Sequence, residues 1–282
     1  MKLLPRHSFA ALAIAVTPAL SAAAPTDSWL QFRGGSGTGY AEVGDLPQKF
    51  DGEKSIAWKI DLPGEGLGSP VVVGDKVIVT CSSGPDQQRL HVFCFSAQDG
   101  SEIWERQFFA SGRTMCHDKT SVAAPSPCSD GERIFALYSS NDLVCLDLDG
   151  NLLWLRGLTY DYPNASNSLG MASSPIVAGG VLIAQIENDS ESFAAGIDVQ
   201  TGKNLWKRSR PKAANWTSPV VGSGPGGSDL ALLQSKDGVD AVDPKSGETA
   251  WSFVKRASTI RRARRVTARS SSRPTASPRW SQ

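Results

Sequence analysis

Histidine is scarce in this sequence: there are three in 282 residues, and His7 falls within an N-terminal leader. With only His91 and His117 left, no histidine-rich metal cage can form. Met115-Cys116-His117 brings soft ligands together, but no second cluster completes a site. A Ser-His-Asp arrangement is possible yet unmarked, because no G-x-S-x-G is present. The five cysteines (81, 94, 116, 128 and 145) include no C-x-x-C and no zinc spacing. Export would permit a disulfide, although an odd count leaves one thiol over. Cys94 and Cys145 stand at equivalent places inside apolar strands, which predicts buried small hydrophobes. The glycine-rich GGSGTG at 34–39 lacks the Lys-Ser/Thr ending of a phosphate loop and leads into no helix. Beyond the leader, no apolar run is long enough to span a membrane.

Acidic residues are absent after Glu248, whereas nine of the 29 basic residues lie from Lys255 onward; without those nine, 20 basic face 28 acidic residues. The body is therefore acidic, and no nucleic-acid partner is expected. Lys2 and Arg6, the apolar Phe9 to Val16, and the small residues Ser21-Ala22-Ala23-Ala24 read as a secretory signal over 1–23. This predicts a periplasmic or cell-envelope protein. Residues 255–282 are rich in Arg and Ser and carry no strand or helix period. They are expected to be disordered, with a basic anion-binding arm as the alternative.

What is abundant is punctuation and tryptophan: 27 Gly, 17 Pro and 8 Trp. Trp58, Trp104, Trp154, Trp206 and Trp251 recur at intervals of 46, 50, 52 and 45 residues. Gly100, Gly150, Gly202 and Gly247 each stand four residues before a Trp, in FSAQDGSEIW, LDLDGNLLW, IDVQTGKNLW and VDPKSGETAW. Each string reads as a strand, a tight turn closed by a positive-φ glycine, and a second strand carrying Trp. Upstream in each unit, a Ser-Pro at 69, 126, 174 and 218 opens a short apolar strand, a glycine turn and another strand. Proline there sacrifices no ladder hydrogen bond. Four strands per unit make one propeller blade. The expected fold is thus an all-β propeller of four-stranded antiparallel blades over 24–254. It is incomplete, with four blades plus one outer strand ending at Trp58, and each Trp wedged between neighbouring blades.

These units resemble the PQQ-like, or quinoprotein-type, repeat with its D-x-x-[TS]-G-x-x-x-W core. The copies at 197–206 and 242–251 match closely; the 146–154 copy is one residue shorter, and the 95–104 copy has Ser96 for Asp. WLQFRGG at 29–35 resembles the opening of exported bacterial proteins of this family, BamB-like outer-membrane assembly factors among them. The resemblance implies a binding or assembly scaffold without catalysis, with a PQQ-dependent oxidoreductase as the alternative. It raises PQQ as a cofactor, but there is no adjacent Cys-Cys pair and no recognisable calcium triad, so none is expected. The sequence from Trp251 to Ile260 looks like the run-in to another blade before the Arg-rich composition begins. A truncated product with no independent function is therefore a third expectation.

In a propeller, the blade-to-blade loops share a face with the hairpins joining the second and third strands. Two blade-to-blade loops are long, 105–124 and 155–172, and long loops in a compact repeat tend to carry function. His117, Asp118, Lys119, Tyr160, Asp161, Asn164, the Asn188-Asp189 turn and Trp216 are accordingly the candidates for a surface that binds another protein or a small ligand. No catalytic residue and no metal ligand is assigned.

Overall fold

The computed structural model describes residues 28–34, 37–41, 49–165 and 169–254. The expected signal segment and the basic tail both lie outside the described residues.

Every repeat read from the sequence is a four-stranded antiparallel sheet whose strands follow chain order from the inside outward. The first blade holds β1 (Val71–Val73), β2 (Lys76–Ser83), β3 (Arg89–Ser96) and β4 (Glu102–Phe109). The second holds β5 (Cys128–Ser129), β6 (Arg133–Leu137), β7 (Asp142–Asp147) and β8 (Leu152–Gly157). A single helical turn, α1 (Leu158–Asp161), follows β8. The third blade comprises β9 (Ile176–Ala178), β10 (Val181–Ile186), β11 (Phe193–Asp198) and β12 (Asn204–Ser209). The fourth comprises β13 (Val220–Ser223), β14 (Asp229–Ser235), β15 (Gly238–Val242) and β16 (Thr249–Val254). The middle strands are buried on both faces, and β12 alternates between half-buried and exposed. Each large core cluster draws on two adjacent blades: Ile78, Val92 and Val71 of the first pack with Ile134, Ala136 and Val144 of the second. Phe135 and Leu143 meet Leu182 and Phe193 in the same way. A blade alone would leave these faces wet, so radial stacking is what makes the fold stable.

The turn motif clasps one blade to the next. Trp58, Trp104, Trp154 and Trp206 each lay their rings on the turn glycine of the following blade. A Cβ added to Gly100, Gly150, Gly202 or Gly247 would stand 2.6 to 2.8 Å from the ring concerned. Their indole N–H groups donate to carbonyls of that same turn: Ala97, Leu148, Val199 and Pro244, at 2.7 to 3.1 Å. The glycines therefore do two jobs, adopting φ between +69° and +80° and leaving room for an indole. Within the turn, Asp198 accepts from the Gln200 and Thr201 amides, and Asp243 from those of Lys245 and Ser246. Ser96 takes this place in the first blade with a single 3.3 Å bond from the Gln98 amide. In the shorter second copy, the Gly150 amide bonds back three residues to Asp147 rather than four.

Two features of the clasp were not read from the sequence. A register shift falls just before the turn in every blade, leaving Ile103, Leu153, Leu205 and Ala250 without a partner and re-aiming the Trp that follows. The residue directly across from that Trp is always small: Cys94, Cys145, Gly196 or Ala241. Two of the cysteines are thus there for their size. Their burial pushes the thiol pKa up to about 11 for Cys94 and about 12 for Cys145. All five cysteines are free thiols.

Candidate functional site

The site is built where the blades converge. The Ser-Pro pair that opens each innermost strand supplies a hydroxyl aimed around the axis. The Ser69 amide donates to Ser126 Oγ at 2.8 Å, the Ser126 amide to Ser174 Oγ at 2.9 Å, and the Ser174 amide to Ser218 Oγ at 2.9 Å. The proline was legible as a strand opener, whereas the serine ladder is a product of assembly. Two residues before each of these serines stand Leu67, Ala124, Ala172 and Trp216. All four line one cleft of about 310 Å³ at the axis, together with Phe32, Thr120 and three of the ladder serines, Ser126, Ser174 and Ser218. One repeat position, contributed four times, thus makes an apolar mouth.

Phe32 arrives from outside the repeats. Trp29 exchanges two backbone hydrogen bonds with Val72, and the Ser129 amide donates to the Leu30 carbonyl at 2.7 Å. Further along, Gly37 comes within 3.0 Å of Val220 Cγ1, measured from the position a Cβ would take. The segment therefore covers the free edges of two inner strands and crosses the centre to the fourth blade, satisfying groups that would otherwise be stranded there.

A second hollow of about 290 Å³ adjoins the mouth, sharing Thr120, Ala172 and Trp216 with it and adding His117, Lys119, Leu169, Gly170 and Met171. The structure thus brings three of the candidates, His117, Lys119 and Trp216, to one cleft. The Trp216 ring is about one-third exposed, and its indole N–H donates to the Gly170 carbonyl at 3.1 Å, tying the two loops together. Asp118 is exposed beside His117, whose Nδ1 accepts from the Lys119 amide. The remaining candidates line neither hollow. Tyr160 is exposed on α1, and Asp161 pairs with Arg156, which also reaches the next blade at the Gly202 carbonyl and Asn204. Asn164 is exposed. Asn188 is buried and closes its own turn, accepting from the Ser190 and Glu191 amides, while exposed Asp189 accepts from the Ala214 amide.

Trp216 sits on a foundation that sequence reasoning missed. Arg210 and Glu187 form an ion pair at 2.7 Å with both side chains buried, and Arg210 also reaches Asp240 at 2.5 Å and the Leu233 carbonyl. The second oxygen of Glu187 accepts from Asn215, whose amide also bonds the Gln234 carbonyl and whose Oδ1 accepts from the Thr217 hydroxyl. Burial raises the Glu187 carboxyl above its ordinary range despite the opposing pull of Arg210. Such a network specifies one loop conformation because breaking any member strands a buried charge. Nothing in the spacing of Glu187, Arg210 and Asn215 announces it. A second missed set was visible: Arg106, Arg156 and Arg208 stand two residues after a clasp Trp, and each bonds the turn-glycine carbonyl of the next blade. The W-x-R spacing was on view in the sequence.

Chemically, the cleft offers apolar surface, two aromatic rings (Phe32 and Trp216), one ammonium and one imidazole. Among the described residues, no three His, Cys, Asp or Glu side chains gather where a metal could be held, and no helix is long and apolar enough to cross a membrane.

Comparison with known proteins returns one family model, described as outer membrane protein assembly factor BamB, matching residues 48–170 and 91–277. A BamB from Moranella endobia (strain PCIT) is 25% identical over 201 residues, covering 70% of this chain and 46% of that protein. A polyvinylalcohol dehydrogenase from a Pseudomonas species is 28% identical over 167 residues, covering 54% of this chain and 24% of that one. The chain thus spans less than half the length of these relatives. Among solved structures, a europium-containing methanol dehydrogenase aligns with a TM-score of 0.57 at 14% identity, over 82% of this chain and 49% of its own, a likeness of fold.

Proposed function

Since the chain belongs to the PQQ-like repeat family represented by the BamB model, we propose that it serves as an exported scaffold of the cell envelope, gripping a segment of another protein at its axial mouth. The observation that carries this reading is the mouth itself: four equivalent apolar positions beside an arc of three serine hydroxyls, with Trp216 on a buried polar foundation. A rigid, partly exposed Trp beside small residues is the make-up of an interface hot spot. BamB relatives, named as outer membrane protein assembly factors, support the envelope setting. The test is complementation in a bacterium lacking its own BamB-type protein, scored by the fraction of outer-membrane barrel proteins reaching the folded form. Restoration that is lost in Trp216→Ala supports the reading. Restoration indifferent to Trp216, or none with well-folded protein, overturns it.

The dehydrogenase relatives make a quinoprotein oxidoreductase the second reading. PQQ is a planar tricarboxylate, and in the alternative role it would supply the two-electron redox chemistry. The axial cleft does not fit it: Lys119 is the single full cation among its described lining residues, and no carboxylate lines either hollow to hold an accompanying dication. Saturable PQQ binding with dye-linked alcohol oxidation would reverse the order of the two readings.

A further inference from the structure

The face of the first blade turned away from the second blade carries three polar side chains in series. Ser83 Oγ lies 2.7 Å from His91 Nε2, and His91 Nδ1 lies 2.7 Å from Glu105 Oε1. Strand pairing puts them on one face. Ser83 pairs with Arg89, two residues before His91; Glu105 pairs with Phe93, two residues after it. Each neighbour is thus a diagonal one, within reach of long side chains. A carboxylate only accepts hydrogen bonds, so Nδ1 carries the ring proton and Nε2 presents its lone pair to the serine hydroxyl. His91 cannot turn away. Its side chain is 4% exposed, its ring stacks on Phe93 with centroids 5.8 Å apart, and its backbone carbonyl accepts from the buried Tyr138 hydroxyl at 2.8 Å. Ser83, at the end of β2 beside the exposed Gly84-Pro85-Asp86 turn, is only half-buried, and Glu105 remains 38% exposed. Nucleophile, base and orienting acid are therefore preassembled, with the buried base between a half-buried hydroxyl and an exposed carboxylate.

We propose that Ser83, His91 and Glu105 form an acyl-transfer site acting on small activated esters. The Ser83 hydroxyl oxygen bonds to the ester carbonyl carbon while its proton passes to His91 Nε2. The carbon–oxygen bond to the alcohol breaks, and His91 returns the proton to the leaving alkoxide. Water, deprotonated by the same imidazole, then bonds to the acyl carbon; the carbon–oxygen bond to Ser83 breaks and His91 returns the proton to the Ser83 oxygen. The sum is one ester and one water giving one acid and one alcohol, with no redox change. Glu105 touches no substrate and acts as a positioning residue through His91.

The experiment treats the full chain with a fluorophosphonate and locates the adduct by peptide mass spectrometry, alongside p-nitrophenyl acetate hydrolysis. We expect the adduct on Ser83 and its loss, with the hydrolysis, in Ser83→Ala. His91→Gln should slow labelling about 100-fold. Glu105→Gln, changed at an exposed side chain that belongs to no core cluster, should slow it about tenfold while leaving the urea midpoint in place. Should His91→Gln fail to fold, Glu105→Gln alone decides. An unmodified Ser83 in the parent protein, or equal labelling in parent and Glu105→Gln, overturns the proposal. Labelling at Ser83 reads the first blade alone, so this outcome is separate from that of complementation at the axial mouth.

Discussion

Replacing Gly150 by alanine tests the clasp more directly than removing any tryptophan. Two penalties act at that position. Its φ of +80° is left-handed backbone, which costs an L residue about 1–2 kcal/mol. The new Cβ would also stand 2.7 Å from Trp104 Cδ2 and 3.0 Å from Cε2, so a ring that is 8% exposed must move. Displacement loosens its 3.1 Å bond to the Leu148 carbonyl, worth about 1 kcal/mol. It also disturbs packing at the cost of a further 1–3 kcal/mol or so. The expected destabilisation is therefore about 3–6 kcal/mol, a fall of about 1 M or more in the urea midpoint. Gly180 is the control: its φ is +79°, nothing lies within 4 Å of its would-be Cβ, and Gly180→Ala should cost the backbone penalty alone. In a Trp104→Ala background the cost of Gly150→Ala should shrink to that of the control, because the obstacle is gone. Both variants are followed by circular dichroism so that the missing indole does not bias the signal. Equal costs for Gly150→Ala with and without Trp104 would refute the idea that the glycine makes room for the ring.

Ser174→Ala should strand the buried Ser126 amide and cost about 1–3 kcal/mol, read as a urea midpoint shift; a shift near zero would mean the serine ladder is incidental. Acidification should weaken the blade turns together. Side-chain bonds from Asn151 and Thr201 and the Ser246 amide, respectively the largest causes, hold the carboxyls of Asp147, Asp198 and Asp243 below the ordinary 3.8. Groups lowered in the folded state contribute their stability fully above the ordinary value and lose it as pH falls through the folded one. Melting temperature should therefore fall on acidification below about pH 4, and Asp198→Asn should flatten that fall; an unchanged slope would count against the turn carboxylates.

Much of the architecture was legible because it is periodic. A turn that needs positive φ demands glycine, a proline can open a strand without breaking a ladder, and a large ring at a fixed distance from both marks the same strand in each copy. Local rules acting within about 50 residues suffice for that. The W-x-R spacing belongs to the same class and was readable. The candidate site was legible in part: loop length pointed to His117 and Lys119, and a place on the same face to Trp216, but loop length pointed equally to Tyr160, Asp161 and Asn164, which line neither hollow at the axis.

The sequence by itself determined the blade: its four strands, the order in which they pair, and which residues turn the chain, since each of these follows from backbone preference and neighbours along one repeat. Only the tertiary structure decided what happens between blades. Glu187 and Arg210 meet because the second hairpin of the third blade lies under the loop leaving it, and Asn215 joins them as that loop turns towards the fourth. Leu67, Ala124, Ala172 and Trp216 become one surface because radial packing brings a single repeat position to the axis four times. Ser83, His91 and Glu105 align through the register of three strands, and a slip of one residue would turn any of them to the opposite face. Burial and register are properties of the assembled sheet, and they set which of the chain's few polar side chains act together.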